Sequence, residues 1–193
     1  MTSREFFFKY RSYTPIPLIV AALILARTTW WSFVAGLSIA LCGEAVRLWA
    51  LRYSGSATRT TGRVGADELV TNGPYGHLRN PLYLGNFFLS FGALIMAWPW
   101  MPWLLIIHVV LFCIQYYSII TLEEDFLRNK FGTVYADYEA AVPRMIPRWT
   151  SWGKGDRVPT TLHKALRTER NSLQSLTAVT LLIVIIWILR SRM

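Results

Sequence analysis

Charge is scarce in this chain. Asp, Glu, Lys and Arg make up 16% of its 193 residues, against about 25% in an ordinary soluble domain. Acid is scarcer still: 11 Asp and Glu face 20 Lys and Arg, a formal charge of +9. With apolar residues at 53%, this excludes a disordered chain and argues against a soluble globular enzyme. There are two cysteines, Cys42 and Cys113, both inside apolar runs. They form no CxxC and no metal-ligand spacing, so they are expected as buried small hydrophobes, with no metal site. The 12 glycines and 9 prolines follow no collagen-like period. No Gly-rich dinucleotide fingerprint is present. The N-terminus lacks a small-residue cleavage site, so the first apolar run is expected to be retained. The cations lie between apolar runs, which favours membrane lipids over nucleic acid as partners.

What the chain has in abundance is aromatic and aliphatic surface. Aromatics reach 15%, with 9 Trp, and mean hydropathy is +0.33. Five continuous apolar runs stand out: residues 14–26, 30–51, 82–98, 103–122 and 176–189. None alternates, so helices are expected rather than strands, and helices satisfy their own backbone in hydrocarbon. The first and last runs are short of the roughly 20 residues a span needs. Tight turns at Arg27–Thr29 and Pro99–Pro102 join the neighbouring runs. The segment 150–172 is expected to be a linker and a short surface helix. The sequence therefore predicts an all-α integral membrane protein of about five transmembrane helices, a single domain over 1–193. Sixteen of the twenty Lys and Arg fall in 1–13, 52–81 and 119–172, which puts the N-terminus and both long polar segments in the cytosol. Glu44 and Arg47 lie inside the second run at i,i+3 spacing, expected as a mutually neutralised pair.

Three blocks could carry chemistry. The first runs from Leu69 and Val70 through Gly73-Pro74-Tyr75 and Arg79-Asn80-Pro81 to Tyr83 and Gly85. By itself it reads as a turn, an Asn80 N-cap and a helix start. Yet Tyr75, His77, Arg79 and Tyr83 crowd the same mouth. The second is Glu123-Glu124, then Leu127, Phe131-Gly132, Tyr135 and Tyr138, which alone could be an interfacial amphipathic helix. The third, Val142-Pro143-Arg144 with Pro147, would pass for a linker.

In this order the three blocks resemble the membrane-embedded isoprenylcysteine carboxyl methyltransferases and the related phospholipid methyltransferases. The match covers about residues 69–147; residues 148–193 supply a linker and last span. The resemblance implies S-adenosylmethionine as methyl donor and a lipophilic acceptor from the bilayer, methylated at the cytosolic face. It implies a cofactor site of Leu69, Val70, Gly73, Tyr75, Arg79, Asn80, Tyr83, Glu123 and Glu124 in cytosolic loops, with Arg79 and Glu124 catalytic. Asn80 stands where the family has His, so no side chain titrates there. The acceptor stays open between a prenylcysteine carboxylate, a phospholipid amine and a small lipophilic thiol or acid. The alternatives are an NADPH-dependent membrane reductase of the sterol-reductase type and a non-enzymatic membrane interaction protein.

Overall fold

A computed structural model describes residues 3–55, 68–153, 156 and 158–192. Arg59, Arg63, Lys154 and Arg157, four of the cations counted above, lie outside the described residues. Among the described residues there are seven α-helices and no strand: α1 (Ser3–Tyr10), α2 (Ile16–Ile24), α3 (Trp30–Ser54), α4 (Pro81–Ala97), α5 (Trp103–Phe131), α6 (Thr133–Ala141) and α7 (Leu162–Ser191), with a 3-10 turn at Gly73–Gly76. Three of them, α3, α5 and α7, are long and apolar enough to cross a membrane, and α4 is a shorter apolar helix. At 17 residues, α4 reaches about 25 Å. This is an all-helical integral membrane protein.

Two expectations about the runs need correcting. The first run, expected as a short transmembrane helix, holds one helix of only 9 residues, α2, and a turn between Tyr10 and Pro15 separates it from α1. Thr14 donates to Gln115 there, at 2.8 Å. The last run is not short, and no separate surface helix precedes it. A single helix of 30 residues begins at Leu162, where Thr161 caps the Lys164 N–H. The polar stretch 162–175 simply continues the helix into the apolar one.

The helices pack into a bundle with two unlike ends. One end, the loop face, collects Ser54, Pro81, Phe131 and Leu162. The other, the turn face, collects Trp30, Ala97, Trp103 and Ser191. At the turn face the Arg27 N–H donates to the Ala97 carbonyl at 2.8 Å, and Arg190 donates to the carbonyls of Ile24 and Ala26. Thr29 and Ser32 cap α3 reciprocally.

Glycine sets the closest contact, between antiparallel α3 and α4. A Cβ on Gly92 would lie 2.5 Å from the Gly36 carbonyl oxygen and 2.6 Å from the Ala40 nitrogen. A Cβ on Gly43 would lie 2.8 Å from the Gly85 carbonyl oxygen. In hydrocarbon, helices gain nothing from excluding lipid, so backbone-close packing through small residues supplies the association. Around this seam Ala26, Ala40, Met96, Ala97 and Ile183 form the buried core.

The outward faces are apolar because their solvent is hydrocarbon. Cys42 and Cys113, expected inside, are both exposed: an apolar run in a membrane chain does not imply an interior position. Polar groups turn inward instead. Arg47 pairs with Glu169 of α7 at 2.5 Å rather than with Glu44, and Glu44 accepts from Ser172 at 3.3 Å. An i,i+3 pair on one helix is a loose geometry; the carboxylate from the facing helix meets the guanidinium side-on, through Nε and Nη2.

Gly92→Ala places a methyl against backbone that has nowhere to go. Overpacking of this kind costs about 1–3 kcal/mol, and a chain of this size loses about 2–4 °C of Tm per kcal/mol. In detergent, Gly92→Ala is expected to melt several degrees below wild type. Ser38→Ala, on an exposed face of α3, should be unchanged. Equal melting of both variants would refute the close seam.

Candidate functional site

The candidate residues converge at the loop face, because α4 starts and α5 nears its end there. Arg79 precedes α4 and Glu124 lies near the end of α5. They meet with Nε donating to Oε1 at 2.9 Å. Arg144 donates to the other oxygen of Glu124 at 2.5 Å. Glu124 is 2% exposed, and a carboxylate so buried needs both partners. Arg79 also donates to the backbone carbonyls of Glu139 and Val142, each at 2.8 Å.

The sequence reading missed the arginine and glutamate that extend this network. Arg128 grips Glu139 with two bonds, at 2.7 and 2.6 Å, and also donates to Asp125 at 2.6 Å. Arg128 and Glu139 lie on different helices, and the chain reverses between them at Gly132, whose φ of +54° is a conformation open to glycine. The visible signal was that glycine between two short amphipathic stretches. The resulting cluster holds three arginines (Arg79, Arg128, Arg144) and three carboxylates (Glu124, Asp125, Glu139). Arg4 joins it from α1, pairing with Asp125 at 3.3 Å.

Tyr83 and Glu123 form a second pair one step deeper. The Tyr83 hydroxyl donates to Glu123 Oε1 at 2.6 Å. The Tyr116 ring lies 4.9 Å from Tyr83, and its hydroxyl accepts from Asn86 at 3.0 Å. Asn86 in turn accepts from Arg47. The stem of Arg47 passes over Gly85, where a Cβ would sit 2.3 Å from its Cγ. Gly85 of the first block is thus the gap through which α3 sends a cation to α4.

Asn80 does not cap α4 with its side chain. Its Nδ2 donates to the Arg144 carbonyl at 3.1 Å. With its ψ at +57°, the residue is turned toward the 142–152 strap. That strap is stitched on along its length: Arg79 N–H to Pro143 O at 2.9 Å, Arg148 N–H to His77 O at 2.9 Å, and Trp152 N–H to Gly76 O at 3.0 Å. The remaining candidates lie beneath it. Tyr75 is buried, and its carbonyl accepts from the Tyr138 hydroxyl at 2.8 Å. Leu69 packs on the cluster of Tyr135, Tyr138 and Val142, and Val70 is half-buried in the same stretch. Gly73, at φ +58°, has the Tyr53 ring where a Cβ would be. Arg79, Asn80, Tyr83, Glu123 and Glu124 therefore share the mouth of α4 and α5, while Leu69, Gly73 and Tyr75 build its support. Among the described residues, no group of three or more His, Cys, Asp and Glu is placed to hold a metal ion.

Burial pushes the phenols of Tyr135 and Tyr138 above their usual range, so both stay neutral hydrogen-bonding groups. The Glu139 carboxyl is held below its usual range, chiefly by its hydrogen bonds from Arg128. A depressed carboxyl stabilises fully above its unfolded value, about 4.3, and less as pH falls through the folded one. Wild-type protein is therefore expected to lose melting temperature below about pH 4.3. Glu139→Gln should start lower at neutral pH and show a shallower acid limb. Identical acid limbs would contradict the Arg128–Glu139 assignment.

The sequence model of the family described as phospholipid methyltransferase matches residues 31–134. Among curated relatives, the nickel-cobalt-cadmium resistance protein NccN of Alcaligenes xylosoxydans xylosoxydans is 29% identical over 142 residues, 69% of this chain and 61% of that protein. Protein-S-isoprenylcysteine O-methyltransferase B of Arabidopsis thaliana is 30% identical over 61% of this chain and 60% of its own length. Protein-S-isoprenylcysteine O-methyltransferase of Xenopus laevis is 32% identical over 64% of this chain and 43% of its own length. The chain thus spans less than two thirds of the length of each of these relatives. The family match takes in α3, α4, α5 and the mouth they share, and on that match the chain belongs to the phospholipid methyltransferase family.

Proposed function

We propose that the protein is an S-adenosylmethionine-dependent methyltransferase acting on a lipophilic acceptor at the cytosolic membrane face, as one domain over 1–193. Family membership implies a methyl donor. The observation that carries the finer reading is the Tyr83–Glu123 pair beside the closed Arg79–Glu124–Arg144 cluster. Oε1 of Glu123 is held by Tyr83, no hydrogen bond to Oε2 is formed among the described residues, and Arg11 lies close enough to act on the carboxylate. An oriented, half-buried carboxylate with one oxygen to offer suits an amino group or ribose hydroxyls. Arg144 keeps 31% of its side chain exposed, so its guanidinium reaches the mouth and suits a carboxylate. These groups fit the donor set of S-adenosylmethionine, whose sulfonium methyl is the electrophile it supplies.

The protein's own part is alignment and dryness. Glu123 and Arg144 would fix the donor at two points, and bidentate or charge-assisted contacts give direction as well as affinity. Glu124 has both oxygens engaged by arginines. Its role is then to hold Arg79 and Arg144 in position rather than to touch donor atoms. Asn80 and the strap hold the same arginine from the backbone side, and α6 with the strap screens the mouth from water. The acceptor would arrive sideways between helices. The relatives named as protein-S-isoprenylcysteine O-methyltransferases keep a prenylcysteine carboxylate among the acceptors, beside a phospholipid amine and a small thiol or acid.

The donor is tested by calorimetry on detergent-purified protein. S-adenosylhomocysteine should bind and NADPH should not; the reverse preference would assign a reductase. Glu123→Gln should weaken binding about 10-fold or more, the loss of one charge-assisted hydrogen bond. Tyr83→Phe should weaken it less. Transfer of labelled methyl to a lipid-extractable product would complete the assignment.

Orientation is tested by reporters. Arg4 pairs with Asp125 at 3.3 Å, which sets the N-terminus at the loop face, and Arg190 sets the C-terminus at the turn face. An N-terminal reporter should be cytosolic and a C-terminal one should lie across the membrane. The opposite result would invert the reading, and two cytosolic reporters would remove α7 as a span.

A further inference from the structure

Most arginines of the loop face have partners. Arg4, Arg47, Arg79, Arg128 and Arg144 pair with carboxylates, and Arg52 and Arg148 donate to backbone carbonyls. Arg167 and Arg170 on α7 are different. Both are exposed, and neither meets a carboxylate or carbonyl of the described residues. They share one helix face with His163, because residues three and four apart are neighbours on a helix.

That face continues into the membrane. It is an open strip of this one helix, with His163, Arg167 and Arg170 at one end and Leu173, Thr177 and Leu181 further on. Its length, from residue 163 to 181, is about 27 Å. The opposite face of α7 is the packed one: Leu176, Val179 and Ile186 meet the core, and Glu169 meets Arg47. The strip is therefore turned outward, toward lipid. Arg170 lies about 9 Å before the apolar stretch begins at Leu176, which is headgroup depth.

We infer that this face of α7 is a binding site for one anionic phospholipid, its phosphate held by Arg167 and Arg170 and an acyl chain lying along Leu173, Thr177 and Leu181. Two guanidiniums one turn apart match a phosphodiester's oxygens. The apolar continuation matches what is attached to it. A free phosphate would leave the apolar half unused. A second copy of α7 on this face would set Arg167 and Arg170 against their own images, and like charges there repel. The inference is independent of the proposed reaction.

Native mass spectrometry of the full chain released from detergent micelles tests it. Phosphatidylglycerol should be retained about 10-fold better than phosphatidylcholine. The double variant Arg167→Gln/Arg170→Gln should lose that preference, while Lys130→Gln, an exposed cation elsewhere on the loop face, should keep it. Millimolar inorganic phosphate should not displace the lipid. Thr177→Trp, which fills the apolar half without touching the cations, should lower retention of both lipids. All three variants change exposed helix positions, and helical circular dichroism confirms folding. Equal retention of the two lipids by wild type, an unchanged preference in the double variant, displacement by phosphate alone, or a dimer lost in the double variant would each overturn the site.

Discussion

The distance of closest approach between α3 and α4 governs the rest of the molecule. With no side chain at Gly36, Gly43, Gly85 or Gly92, the two backbones come into van der Waals contact. That fixes where α4 begins, and hence where Arg79, Asn80 and Tyr83 stand. It also lets Arg47 cross the α4 backbone to Asn86. A wider spacing would leave this cation in the membrane without that partner. The seam is apolar in its middle and polar toward the loop face, so one contact positions the helices and also admits charge.

At the mouth a different economy holds. Three arginines and three carboxylates lie together around one buried member, Glu124. Exposed pairs contribute little, about 0–1 kcal/mol, but a buried cluster is demanding: removing one member strands another. The cluster therefore acts as a lock on geometry. It ties α5, α6, the strap and the start of α4 to one another, and the Tyr83–Glu123 pair stands beside it.

Much of this was legible in the sequence for a simple reason. Continuous apolar runs have one backbone solution in hydrocarbon, so helix type and the shared mouth of α4 and α5 followed from the runs and from the turn at Pro99–Pro102. The meeting of Arg79 with Glu124 was readable from that hairpin. What could not be read were pairings between helices distant in sequence. Arg47 has Glu44 as a sequence neighbour, yet Glu169 as its partner. Asn80 has the composition of a cap, but the nearby Arg144 carbonyl takes its amide. Cys42 and Cys113 sit in apolar runs, but in a membrane chain such runs face outward as readily as inward. Glu139 had no signal beyond the glycine that turns α6 back onto α5.

The Arg47–Glu169 pair also bears on how the chain is made. The two residues are 122 positions apart, and a ribosome delivers them in that order. When α3 enters the bilayer, its guanidinium arrives with no carboxylate from α7 yet synthesised. A lone arginine within a transmembrane helix opposes insertion by about 2.5–3.5 kcal/mol at the centre, less toward an end, where it snorkels to water. Arg47 lies two turns from the loop end of α3, so the nascent helix would sit shallow, its arginine at the interface, until α4 supplies Asn86 and α7 supplies Glu169. A helix synthesised well after α3 thus completes the burial of α3, which makes biogenesis of this bundle a closing rather than a sequential threading.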